Sequence, residues 1–235
     1  VLLDCFTGYG TQLWWPISDD RIAWNSIFII DPTYTAPLLL GVVACLFLQR
    51  TSAWRRRINH LGLAVSTVYL ALTLFNKHYV ERVFTNSLHR QGIAVERLMT
   101  SPTALNNLLW YVVAEGEDGY HFGYYSLLDS TTEVEFQFLP RQEELLGSLA
   151  NTYEVDRLKW FADGYFCVRQ HEEGVSLGIL KFGKIDLPSG QELYPFAYRV
   201  HRRSNPGVVV ERIEAPWSDH IETVLGLWWM RVKGQ

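Results

Sequence analysis

Hydrophobic and polar positions divide this chain near residue 100. Upstream lie two long stretches without charge: 18 residues from 32 to 49, centred on APLLLGVVACLFL, and 19 from 58 to 76, INHLGLAVSTVYLALTLFN, with His60 counted neutral. Each falls near the lower limit of about 17–25 residues for a helix that crosses a bilayer. Between them, QRTSAWRRR carries Arg50, Arg55, Arg56 and Arg57 and no acid. Two apolar helices joined by a short basic loop predict a transmembrane hairpin with that loop in the cytoplasm. The competing expectation is a soluble αα-hairpin in which both runs are core. Pro37 suits the first turn of the first helix, where its missing N–H is not needed. Gly62, Ser66 and Ala71 leave room for close helix contact in the second. In this orientation the segment around Asp4 and everything after Asn76 lie outside the cytoplasm.

Past the second run, KHYVERVFTNSLHRQGI extends as an amphipathic helix, with Ser101-Pro102 as its break. The period then changes. LLWYVVAEGEDGYHFGYYSLL predicts a β-hairpin turning at residues 115–119, and EVEFQF alternates like a half-buried strand. RQEELLGSLAN and YEVDRLKWFAD have helical spacing, with Val155, Leu158 and Phe161 three residues apart in the second. GYFCVRQHEEGVSLGILKF, FAYRVHRR and GVVVERI return to strands, and a last helix runs through Trp228 and Trp229. The expected fold class is α+β with membrane helices: a transmembrane hairpin over residues 36–76, an amphipathic linker over 77–100, and a mixed α+β domain over 101–235.

Composition narrows the function classes. Hydrophobic residues make up 48% and charged ones 20%, which excludes a disordered chain. A net charge of −4 offers no basic face for nucleic acid, so none is expected as a partner. Three cysteines without a C-x-x-C pair argue against a zinc ribbon or a disulfide framework. Nine Trp, twelve Tyr and twelve Phe, many beside the apolar runs, suit a membrane–water boundary. The chain opens on Val1 rather than Met, and the expectation is the C-terminal part of a longer protein.

Candidate chemistry is sparse downstream. Gly174-Val175-Ser176-Leu177-Gly178 fits G-x-S-x-G, but a nucleophile elbow needs a helix after the serine, and this one sits in a predicted strand. The seven histidines form no H-E-x-x-H, and there is no Walker loop or G-x-G-x-x-G. Two acids remain. Asp31 stands between Ile29-Ile30 and Pro32, where a carboxylate is costly unless it caps a helix, pairs or binds a cation. Asp4 follows Val1, Leu2 and Leu3 and precedes a loop of Thr7, Gly8, Gly10 and Thr11, where it can cap or accept backbone N–H bonds.

With these residues together, LLDCFTGYGTQLWWPISDDRIAWNSIFIIDPTYTAPLLL resembles the YdjM-like family of inner-membrane proteins regarded as metal-dependent hydrolases. That family carries H-x-x-x-D-x-x-T-x-x-G, an aromatic-Pro pair, and D-P-x-Y-T before a membrane helix. Asp4, Thr7, Gly10, Trp15 and Pro16 fall on the first pattern, with Thr11 beside it; Asp31, Pro32, Tyr34 and Thr35 fall on the second. The resemblance implies that residues 1–35 are the end of a metal-site region, with the pattern's histidine immediately before Val1. It implies Asp4 as a metal ligand, Asp31 after it, and a divalent ion, zinc first and manganese or iron next. Residues four apart share a helical face, so an imidazole and a carboxylate at that spacing can meet one cation. The implied function is part of a bacterial inner-membrane hydrolase acting on an ester or phosphoester of a small molecule or lipid, its site incomplete in this chain. The rival expectation is a non-catalytic envelope protein in which the membrane anchor displays an α+β binding domain.

Overall fold

The computed structural model describes residues 2–171, 174–202, 207–214 and 217–235, apart from the side chains of 217–219. The chain forms two compact units, one of Val1–Val83 with Thr100–Trp110, the other of Phe84–Met99 with Tyr111–Gln235.

In the first unit, Leu3–Phe6 forms one 3-10 turn and helix α1 spans Pro32–Phe47. Helix α2 starts at Ala53 and continues to Arg90, which is 38 residues or about 57 Å. The expected second apolar helix and amphipathic linker are therefore one continuous rod. The basic loop is also shorter than expected, because Arg55, Arg56 and Arg57 already lie in the first turns of α2. Pro32, not Pro37, occupies the first helical position of α1, and Pro37 sits inside the helix. There its ring nitrogen cannot donate to the Thr33 carbonyl.

Polarity in this pair of helices is inverted relative to a water-soluble hairpin. Leu46 and Phe47 on α1 are 76% and 85% exposed, and Val68 and Phe75 on α2 are 69% and 68% exposed. The buried α2 positions are instead Gly62, Ser66 and Thr73, followed by Val80. Gly62 meets α1 so closely that an added Cβ would lie 2.6 Å from the Pro37 carbonyl oxygen. Ala71, expected at this contact, is exposed. Among the described residues, α2 is long and apolar enough to cross a membrane, whereas α1 has 16 residues, or about 24 Å against a hydrocarbon core of about 30 Å.

The second unit is built on antiparallel sheets, so the α+β class is what the chain adopts. Strands β1 (Arg97–Pro102), β2 (Leu109–Glu115), β3 (Gly119–Ser126) and β4 (Gln137–Pro140) form a sheet in the order β1-β2-β3-β4. The β2–β3 hairpin turns at Gly116–Gly119, as expected. A 3-10 segment (Glu143–Leu149) and helix α3 (Tyr153–Phe161) precede strands β5 (Phe166–His171) and β6 (Gly174–Ile179). A short ribbon pairs β7 (Ile185–Asp186) with β8 (Glu192–Leu193). Strands β9 (Ala197–Arg202) and β10 (Val208–Ile213) complete a second sheet, ordered β10-β9-β6-β5, and helix α4 spans Trp217–Val232. Val155 and Leu158 of α3 bury against Phe166, Val168, Val175 and Leu177 of that sheet. Ser176 lies in the middle of β6, and only a single 3-10 turn (Leu180–Phe182) follows the strand, which removes the nucleophile-elbow geometry.

Candidate functional site

The chemistry-bearing residues of the first unit lie along the buried face of α2. Asp31 is 2% exposed and caps α1, its Oδ1 accepting the Thr33 N–H at 2.8 Å and the Tyr34 N–H at 3.2 Å. Its Oδ2 accepts the Tyr69 hydroxyl at 2.8 Å. The Ile-Asp-Pro sequence folds this way because the cap satisfies two of the orphan N–H groups at the helix start, while Pro32 has none to satisfy. One turn further along α1 and α2, Ser66 donates to the Tyr34 carbonyl at 2.8 Å.

Below Tyr69 the seam continues through polar groups. Thr73 donates to the Leu70 carbonyl at 2.8 Å and meets the Ser26 hydroxyl at 3.4 Å. The Asn107 amide donates to the Ser26 carbonyl and accepts from Asn76 at 2.9 Å. Lys77 reaches the Thr100 hydroxyl at 2.9 Å and pairs with Glu81 at 2.7 Å. Tyr69, Ser26, Asn76 and Asn107 escaped the sequence reading. Ser66, Tyr69, Thr73 and Asn76 recur every three or four residues, and that spacing was the available signal.

Asp4 lies on the exposed side of the 3-10 turn, and Thr7 closes that turn by donating both its N–H and its hydroxyl to the Asp4 carbonyl, at 3.1 and 2.8 Å. Gly10 takes φ +70°, and a Cβ there would lie 2.9 Å from that of Ala23. Thr11 pairs with Ile22 in an isolated antiparallel bridge. Thr35 donates the first helical bond of α1 to the Asp31 carbonyl. The Thr, Gly and Pro positions of the two patterns thus shape backbone, and the carboxylates of Asp4 and Asp31 are the groups with ligand chemistry. Among the described residues, no three His, Cys, Asp or Glu side chains converge on a point that could hold a metal ion.

Residues 1–80 match the model of a family described as YdjM inner membrane protein. This stretch is similar to that family. No curated protein and no solved structure matches the chain. The matched stretch takes in the Asp4 turn, the Asp31 cap and the hairpin, and residues 81–235 lie outside the match. Its membrane character agrees with the apolar exterior of α1 and α2.

The second unit has polar clusters of its own. Buried Lys184 contacts Gln137, Asp186 and Glu192. The Tyr194 hydroxyl donates to Glu192 at 2.7 Å and lies 3.3 Å from the Cys167 sulfur. Burial pushes the Cys167 thiol above the ordinary range, against the lowering effect of its hydrogen-bond contact with Tyr194. A cleft of about 720 Å³ is lined by Phe122, Tyr124, Asp129, Glu135, Asp186 and Arg231, among others. Arg231 there forks onto both oxygens of Asp129, at 2.5 and 2.7 Å.

Proposed function

We propose that this chain is part of a membrane-bound, metal-dependent hydrolase of the YdjM kind, in which α1 and α2 cross the inner membrane as a hairpin. The observation that carries the membrane part is the inverted polarity: apolar side chains face outward and Ser66, Thr73 and Asp31 face inward. Burying such a surface in water-excluding lipid is favourable, whereas exposing it to water is not. The four arginines around the α1–α2 turn support a cytoplasmic turn, with residues 101–235 on the other side.

The hydrolase part rests on the resemblance of residues 1–40 and on Asp4, an exposed carboxylate in that pattern. Asp31 does not suit a cation as it stands, because both its oxygens are engaged by donors. With no group of three ligands among the described residues, no catalytic step is derived through a metal. The cleft beside β3, β4 and α4 favours the second reading, a membrane-anchored envelope protein that displays a binding domain.

Metal analysis of the detergent-purified full-length protein separates the two. The hydrolase reading expects stoichiometric zinc, manganese or iron that is lost in Asp4→Ala. A metal-free wild type, or an Asp4→Ala variant that holds as much metal, favours the display reading.

A further inference from the structure

Residues 11–22 form a closed loop whose tip is apolar and exposed. The neck is fixed by Thr11 and Ile22, which exchange N–H···O bonds of 3.0 and 2.9 Å. Within the loop, Ile17 and Ser18 donate to the Trp14 carbonyl, and the Gln12 side chain donates to the Asp19 carbonyl. The tip is therefore internally hydrogen-bonded, and it holds Trp14, Trp15 and Ile17 at 60%, 69% and 90% exposure. Directly behind it, Asp19 and Asp20 are exposed, and Ser18 bonds to Asp20.

The base of this loop is tied to α2 at the level where its apolar run ends. Trp24 donates to the Cys5 carbonyl, Ser26 contacts Thr73, and Asn107 links Ser26 to Asn76. Asn76 is the last residue of the uncharged run, and Lys77 follows it. Ile29 and Ile30, also exposed, lead straight into the Asp31 cap of α1.

We propose that loop 11–22 is a membrane-interface anchor: Trp14, Trp15 and Ile17 enter the lipid headgroup and upper acyl layer at the Asn76 end of the hairpin. Tryptophan favours this layer because its indole has an apolar body and an N–H that can stay wet. Backbone hydrogen bonds closed within the loop, such as those of Ile17 and Ser18 to the Trp14 carbonyl, reduce the penalty of putting irregular chain in lipid. The adjacent carboxylates stay in water and limit the depth to the interface. The occupant is lipid, because the base of the loop is tied to the Asn76 end of a hairpin whose outward side chains are apolar. The inference rests on the membrane reading above.

The test is nitroxide accessibility in the full chain, reconstituted into phosphatidylcholine–phosphatidylglycerol vesicles. Labels are placed singly at Ile17→Cys, Leu40→Cys on α1 and Asp20→Cys, in a Cys45→Ala background, since Cys5 and Cys167 are buried. The expected ratio of oxygen to nickel-chelate accessibility at Ile17 is several-fold above that at Asp20 and below that at Leu40. An Ile17 ratio equal to that at Asp20, with Leu40 in lipid, overturns the anchor and leaves the hairpin standing. Low accessibility of Ile17 to both probes signals a protein partner and overturns the lipid assignment. A watery Leu40 overturns the membrane hairpin on which the inference rests.

Discussion

Asp31 shows how one residue can satisfy several readings at once. An acid between two isoleucines and a proline must be capped, paired or bound to a cation, and in the structure it caps α1 and accepts from Tyr69. The capping was legible from the Asp-Pro pair; Tyr69 was not, since it lies 38 positions away. Asp31→Ala removes the cap and leaves Tyr69 without its acceptor, a loss of about 1–2 kcal/mol from the cap alone. Asp31→Asn keeps an acceptor for Thr33 and Tyr34, and its thermal midpoint in detergent should stay near wild type. A midpoint for Asn as low as for Ala would show that the charge, not the cap, matters. The second unit gives a pH prediction. Burial raises the Cys167 thiol and pushes the Tyr120 hydroxyl up to about 12, so both are held neutral in the fold. Raised folded-state values mean that their contribution to stability is complete below the ordinary thiol and phenol ranges and is lost as pH rises through the raised values. Thermal midpoints should be flat from neutrality to about pH 8 and fall above the ordinary thiol value of about 8.5. A midpoint that rises over that alkaline range contradicts the assignment.

Element boundaries reveal what a one-dimensional pattern leaves out. Two apolar runs and a mixed-charge continuation read as two elements, yet α2 is unbroken because neither Gly nor Pro interrupts 53–90 except Gly62, which is packed against Pro37. Of the strand expected over EVEFQF only the last two residues, Gln137 and Phe138, are in a strand, which runs on to Pro140. Its alternation was real, since Val134 is buried, but the Val134 N–H and carbonyl are taken by the side chains of Ser87 on α2 and Gln91 just past its end. With its backbone so engaged, that stretch cannot join a ladder. Strand β1 was missed because RLMTSP has no alternation and ends in proline. Two helical glycines should answer the same substitution with opposite signs. At Gly62 the new methyl would meet the Pro37 carbonyl at 2.6 Å, so Gly62→Ala forces α1 and α2 apart, at a cost of about 1–3 kcal/mol. At Gly226 in α4 nothing lies within 4 Å, so Gly226→Ala should stabilise by about 0.5–1 kcal/mol through helix propensity. Thermal denaturation of both in the same detergent checks the pair, and equal signs would refute the close α1–α2 contact.

The α+β class was readable at the scale of the whole chain because the hydrophobic period changes from helical to alternating after residue 100. What could not be read was how much of the hairpin spans, because hydrophobicity does not distinguish a crossing helix from one lying at the surface. The proposed orientation turns this into a three-point measurement. In that orientation α2 crosses and leaves the α1–α2 turn and Gln235 on opposite sides, and four arginines against no acid around the turn favour the cytoplasm for it. A fluorescent protein fused after Gln235 should therefore be dark in an exporting host, and alkaline phosphatase fused there should be active. The third point is α1, which at 16 residues must be lengthened by its flanking residues, or by local thinning of the bilayer, to cross. If it crosses, Asp20→Cys reacts with an impermeant maleimide from the same side as Gln235. If it lies along the surface instead, Asp20→Cys reacts from the side of the arginine turn. A bright C-terminal fusion would overturn the orientation. Asp20 on the turn's side would overturn the hairpin while leaving α2 in the membrane, and the Asp31–Tyr69 bond would then have to hold α1 against the helix without lipid on both faces.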